Sequence, residues 1–346
     1  MCCTDKFKVM KKIFCVFCAA ALLFQACSEK CANQDSADGR IPDGGISVIL
    51  KYDSSVSRGV SDYDFVLDEE AQVNDIQILV FDSMTGVLQR SAGMDSVDDR
   101  CEFAIPVGSK TVYALVNGPD VSKVRTLDAL LEMTDDLSGR NYMQDGFVMI
   151  GSSICDVESG ETARPVIKVG RLVSRVVLRS VTCNIAKQYE AMTVDCVFLG
   201  NAALECSMGG ESSGRVNVGG YEDDMKSEPV GLNGVTGVCP EYLYRSMGCG
   251  IRVGQEYDQP VCMYCYPNET DDYTCLYMLA TIGQQKYYYR VPLDKGLVPN
   301  VTCAVDVTIT NLGAPLPPDG VLQKGEIVAT VSIEGWSMGH LYNAEF

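Results

Sequence analysis

Histidine and tryptophan are almost missing from this chain: His340 and Trp336 are the single representatives of each among 346 residues. His340 stands six residues before the C-terminus. A Ser-His-Asp or Cys-His relay would have to be built on it, and nothing around it resembles a nucleophile elbow. There is no P-loop, no HExxH and no GxGxxG behind a strand. The glycine-rich loop Gly248-Cys-Gly250-Ile-Arg-Val-Gly254 has another spacing. Positive charge is scarce too, with 28 Lys and Arg against 46 Asp and Glu, a formal net charge of −18. Such a surface repels phosphates and argues against a nucleic-acid partner. The pairs Asp135-Asp136, Asp223-Asp224 and Asp271-Asp272 read as solvated faces or turns, and no glycosidase pair stands out among so many acids. Of the twelve cysteines beyond Cys27 only Cys262-Met-Tyr-Cys265 form a CxxC, and without a second one there a zinc site is not expected. The expectation is a protein that is not an enzyme and holds neither metal nor cofactor.

Long apolar runs are also lacking. The longest N-terminal one, residues 13–26 after Lys11-Lys12, is short of the about 20 residues of a membrane-spanning helix and suits the core of a signal peptide. The residues before Met10 carry no targeting logic, so Met1 and Met10 are both candidate starts. Leu23-Phe-Gln-Ala26-Cys27 resembles a bacterial lipobox, with a small residue before the cysteine and Phe24 in a usually aliphatic place. It implies cleavage before Cys27 and acylation of its thiol. Residues 28–45 are small and polar, the composition of a flexible tether.

What the chain does have is β pattern: 47% hydrophobic residues in short alternating runs, punctuated by 32 glycines. Its length suits two domains. Residues 46–52 alternate Ile46, Val48, Leu50 and Tyr52 on one face, followed by a polar stretch ending in Arg58-Gly59, where a trypsin-like protease could cut. Residues 73–81 read as a strand with Ile76, Ile78 and Val80 on one face. Asp82 to Gly86 turn the chain, and Val87-Leu88 begin the return. Residues 110–116 form another strand, ended by Asn117-Gly118-Pro119, and Thr126 caps a short helix bearing Leu127, Leu130 and Leu131. Arg171, Arg175 and Arg179 alternate with valines, which predicts a turn passing into a strand with the arginines solvated. The domain boundary is placed near Gly170. The tyrosines of the C-terminal half (Tyr242, Tyr244, Tyr264, Tyr266, Tyr273, Tyr277 and Tyr287 to Tyr289) are expected in sheets rather than on a binding platform. Residues 305–310 form a clean strand. A proline-rich linker leads to the alternation Ile327, Ala329, Val331, Ile333, and the chain closes at Leu341 and Phe346.

In this order the pieces resemble the major fimbrial subunits of Bacteroidales, the fimbrillins or type V pilins: the lipobox Cys27, the first strand, Arg58, the strands at 76–81 and 110–117, the 171–178 segment, the strand at 305–309, a Gly/Pro linker and a closing strand with Trp336. The resemblance covers nearly the whole chain beyond the signal peptide. It implies a mainly β fold of two β-sandwich-like, transthyretin-like domains with short helical connections. The segments would be a signal peptide (1–26), a propeptide with lipidated, palmitate-bearing Cys27 and the first strand (27–58), an N-terminal domain (59–170) and a C-terminal domain (171–346) with donor strands from about 321. It further implies export through the periplasm to the cell outer membrane and a cut by an Arg-specific protease between Arg58 and Gly59. The displaced strand (Ile46, Val48, Leu50, Tyr52) would be replaced by a neighbour's donor residues (Ile327, Ala329, Val331, Ile333, Leu341, Phe346). The partners implied are other copies of the chain, accessory fimbrial subunits and a host glycan or protein for adhesion. The alternative is a surface lipoprotein that keeps its lipid, as a fimbrial anchor or a glycan-binding module.

Overall fold

The structure, a computed structural model, describes residues 43–52, 70, 72–137, 142–216, 240–268, 273–293, 297–315 and 327–335. Strands take up 62% of the described residues and helices 6%. The mainly β class expected from the alternation is what the chain adopts.

The larger sheet comes from the N-terminal half. Its strands are β1 (Gly44–Tyr52), β2 (Ile76–Asp82), β3 (Leu88–Met94), β4 (Cys101–Ile105), β5 (Gly108–Val116), β7 (Met149–Val157), β8 (Thr162–Ala163) and β9 (Val166–Arg171). They run in the order β3-β2-β5-β7-β9-β1-β4, with β8 also on β1. Local chemistry explains the corners. At the β2–β3 turn, Gly86 takes a φ of 69° and its N–H donates to the Asp82 carbonyl at 2.8 Å. The Asp82 side chain accepts from the Thr85 N–H at 3.1 Å. β5 ends where Asn117 adopts a φ of 53°, a left-handed conformation that asparagine tolerates. Its amide then donates to the carbonyls of Gln72 and Phe147 and accepts from the Asn74 N–H. Helix α1 (Leu127–Leu131) starts on the expected cap, with Thr126 Oγ1 accepting from the Ala129 N–H at 3.3 Å.

The C-terminal half forms three smaller sheets. The first runs β15 (Glu256–Tyr257), β10 (Ser174–Cys183), β19 (Val301–Ile309), β20 (Ile327–Gly335), with β16 (Val261–Cys265) also on β10. The second runs β14 (Tyr244–Arg252), β11 (Ala191–Gly200), β17 (Cys275–Ile282), β18 (Gln285–Pro292). The third pairs β13 (Ser212–Val216) and β12 (Ala202–Ser207) with β6 (Thr134–Asp136), a strand contributed by the N-terminal half.

The core has two compartments. Ile76, Ile78 and Val80 of β2 share one with Ile46, Val48 and Leu50 of β1, together with Phe103, Ile105, Val112, Ala114, Ile167 and Val169. Leu79 and Phe81, on the other face of β2, pack into the second with the C-terminal half. β2 is therefore buried on both faces, where alternation had indicated only one.

The arginine segment departs from expectation. A bend at Leu172-Val173 does separate β9 from β10, but Arg171 and Arg175 are buried at 2% and 1% exposure. Each has found a partner that removes the penalty of burying a cation, as described below. Arg179 is ion-paired with Asp306 of the neighbouring β19.

Candidate functional site: the slot around the first strand

β1 is an interior strand made from the beginning of the described chain. Its first half pairs antiparallel with β4, from Gly44 opposite Ile105 to Val48 opposite Cys101. On its other side Gly45 and Ile46 lie parallel to Thr162 and Ala163 of β8. Its second half pairs parallel with β9, from Ile49 opposite Val166 to Tyr52 opposite Val169. The backbone adds bonds from the Gly45 N–H to the Glu161 carbonyl at 2.9 Å and from the Ile49 N–H to the Pro165 carbonyl at 3.1 Å. Ile46, Val48 and Leu50 point into the core at 0%, 0% and 5% exposure. Each is worth about 1.5–3 kcal/mol of burial, so β1 holds an appreciable part of the stability of its half. Taking it away would leave a slot with an apolar floor and an unpaired backbone ladder on both walls.

One end of the slot is tight. A Cβ on Gly44 would stand 2.4 Å from Val157 Cγ1 and 2.9 Å from the Glu158 carbonyl oxygen. Beside it opens a cleft of about 650 Å³ lined by Gly45, Ser47, Arg100, Glu102, Glu161 and Arg164, among others. The Ser47 hydroxyl donates to Glu102 Oε1 at 3.4 Å.

β20 carries Ile327, Ala329, Val331 and Ile333, and here it lies on its own chain. Its nine residues pair antiparallel with β19, from Ile309 opposite Ile327 to Val301 opposite Gly335. Among the described residues it has no second neighbour and forms the edge of its sheet. The proposed donor segment is thus held from one side only, whereas the first half of β1 is held from both. Cys27, Arg58, Gly59, Leu341 and Phe346 lie outside the described residues.

Sequence reasoning missed the device between the two ends of the chain. Glu70, twelve residues beyond Arg58, is buried at 1% exposure. Arg175 Nη1 donates to its Oε2 at 2.9 Å and its Oε1 at 3.1 Å, and the Tyr264 hydroxyl donates to Oε1 at 2.6 Å. Arg171 reaches the Glu70 carbonyl with Nη2 at 2.8 Å, and Arg175 Nε donates to Thr302 Oγ1 at 3.0 Å. Glu70 and Arg175 are separated by 105 residues, so no local pattern could have joined them. The one available signal was two arginines inside a valine-rich strand, which demand counter-charges if the strand is buried.

Six of the nine tyrosines singled out above are buried, and Tyr244, Tyr273 and Tyr287 are half-buried. Tyr242, Tyr264 and Tyr266 are fully buried, and the Tyr264 ring lies 4.8 Å from that of Phe147. Tyr266 donates to Asp135 of β6 at 2.5 Å. Cys262 and Cys265 are buried free thiols in a strand, where side chains three apart project to opposite faces. That geometry keeps the pair from closing on one ion.

Burial sets an alkaline limit on the fold. It pushes the Cys262 thiol from 9.0 up to about 11, and the phenols of Tyr277 and Tyr289 from 10.0 up to about 12. Tyr264 is raised as well, by burial first and then by the negative charge of Glu70. Each neutral form is favoured in the folded state, so the unfolded chain gives up its protons first. The stability these groups contribute is complete below about pH 9 and is lost as pH rises through 10 to 12. Circular dichroism and tyrosinate absorbance followed together should show Tyr ionisation of the buried set coinciding with unfolding. All tyrosines titrating near 10 with the sheet intact would contradict it.

No protein-family model matches the sequence, and neither does any curated protein. Solved structures do match. A candidate cell adhesion protein from Bacteroides eggerthii aligns over 86% of this chain and 97% of its own, at TM-score 0.63 and 16% identity. One from Parabacteroides distasonis aligns over 85% and 97%, at TM-score 0.61 and 16% identity. A fimbrilin from Porphyromonas gingivalis aligns over 88% and 99%, at TM-score 0.58 and 14% identity. The chain thus shares, over most of its length, the fold of a Bacteroidales fimbrilin and of candidate cell adhesion proteins from the same order.

Proposed function

We propose that the protein is a polymerising structural subunit of a cell-surface fimbria. It is exported as a lipoprotein acylated on Cys27 and cut by an Arg-specific protease between Arg58 and Gly59. β1 then leaves with the propeptide, and the vacated slot takes a C-terminal strand from the next subunit. The observation that carries this reading is β1 itself: an interior strand that begins the described chain, paired on both edges over its first half and with β9 over its second, with Ile46, Val48 and Leu50 in the core. Such a strand can be withdrawn without unthreading any other, and its loss leaves a surface that only another strand satisfies. Because slot and donor are different surfaces, each added subunit repeats the contact and the assembly stays open as a filament.

Two domains are proposed, 59–170 and 171–346, a division supported by the change of sheet between β9 and β10. The filament would be reached through the periplasm and sit on the outer membrane, with accessory subunits at its ends and adhesion as its role. Burial of Tyr242, Tyr264, Tyr266, Tyr277, Tyr288 and Tyr289 favours this reading over a glycan-binding one built on an aromatic platform.

Mass spectrometry of the protein taken from the cell surface tests this directly. The expected N-terminus is Gly59. An acylated Cys27 on all of the surface protein would overturn the polymerising role and leave a membrane anchor.

A further inference from the structure

We infer that the slot takes β20 of a second copy in the direction opposite to β1, with Gly335 in the place of Gly44. The inference rests on the strand exchange proposed above and specifies its register. Both strands are nine residues long. Read backwards from Gly335, β20 is Gly-Glu-Ile-Ser-Val-Thr-Ala-Val-Ile, and β1 read forwards is Gly-Gly-Ile-Ser-Val-Ile-Leu-Lys-Tyr. The two agree at Gly44 and Gly335, Ile46 and Ile333, Ser47 and Ser332, Val48 and Val331.

These are the places where the slot discriminates. At Gly44 any Cβ meets Val157 and the Glu158 backbone, so only glycine fits. Ile46 and Val48 are completely buried. Ser47 supplies the hydroxyl that Glu102 accepts. The mismatch next to the tight end is itself complementary. Glu334 would stand at Gly45, where a Cβ meets first the Thr162 hydroxyl at 3.0 Å, the tip of a side chain that can turn away. Its carboxylate would enter the cleft lined by Arg100 and Arg164, neither of which is ion-paired among the described residues. Glu102 and Glu161 also line this cleft, as does Asp43, which departs with the propeptide. At the far end Ala329 stands for Leu50, so the grip is strongest at the glycine end.

The opposite direction is a real competitor, because Gly325-Glu326-Ile327 precedes the same strand. It would also bring glycine to the tight end. It puts Val328 where Ser47 donates and Ala329 where Val48 fills the core, so it loses both the hydroxyl and the volume.

The native thiol of Cys101 distinguishes the two, since it lies opposite Val48 across the β1–β4 ladder and both side chains are in the same core compartment. In the full chain cut after Arg58, Val331→Cys should form an intersubunit disulfide with Cys101 under diamide, identified by peptide mass spectrometry, and Ala329→Cys should not. Gly335→Val should lower polymer yield at least tenfold, and Gly325→Val should leave it unchanged. A Cys101 link from Ala329→Cys, a block by Gly325→Val alone, or a polymer linked through neither would overturn this register while leaving strand exchange in place. Failure of the unsubstituted, cut chain to form any polymer would overturn the exchange itself.

Discussion

A chain beginning at Gly59 is expected to melt well below the uncut precursor and to recover when a peptide of residues 44–52 is added. Removing β1 deletes three buried aliphatic side chains, about 1.5–3 kcal/mol each, together with the ladder bonds to β4, β8 and β9. The sum rivals the about 5–15 kcal/mol that holds a typical domain together, so the N-terminal sheet should open while the C-terminal sheets persist. A peptide that binds only the folded slot restores stability by mass action, about 2.7 kcal/mol at a hundred times its dissociation constant. Differential scanning fluorimetry against peptide concentration reads this. A Val48→Asp peptide, which would bury an unpaired carboxylate, should give no recovery. A cut chain as stable as the precursor, or indifferent to the peptide, would show that β1 is not a structural keystone and would remove the basis for exchange.

Breaking the Glu70–Arg175 pair should be nearly as damaging. Both side chains are 1% exposed, and Glu70→Ala would leave the Arg175 cation and the Tyr264 hydroxyl without the carboxylate they share, while Arg171 keeps its bond to the main-chain carbonyl of residue 70. Such uncompensated burial costs about 3–5 kcal/mol. Replacing both members by apolar residues of similar volume, Glu70→Leu with Arg175→Met, should recover most of that loss, because the desolvation penalty disappears along with the attraction. Urea titrations of the three variants test the pattern, and equal losses in the single and double variants would refute it. In the maturation scheme proposed above, the pair has a further consequence. Glu70 lies on the retained side of Arg58, so it fixes the start of the mature chain against β10 and β16 and keeps the cut from loosening β2.

The sequence by itself determined the local elements. The alternation of Ile46, Val48 and Leu50 needs only the two-residue period of a strand, and the same holds for residues 305–309 and 327–333. Thr126 announced its helix and Gly86 its turn, because caps and positive φ are chemistry of adjacent residues. Short strands such as β4 alternate as well, Cys101, Phe103 and Ile105 inward, yet five residues give too little pattern to stand out. Only the tertiary structure decided who pairs with whom. A period of two says which face of β1 is buried and nothing of β4, β8 and β9, which come from positions 101–171 and close around it. The fate of the arginines shows the same limit. Charge made solvent the natural expectation for Arg171 and Arg175, but Glu70, about a hundred residues earlier, makes their burial affordable: its carboxylate pairs with Arg175 and accepts from the phenol of Tyr264, and its main-chain carbonyl accepts from Arg171. Whether a charge can be buried depends on the counter-charge the fold brings to it, and that is a property of distance in space rather than of spacing along the chain.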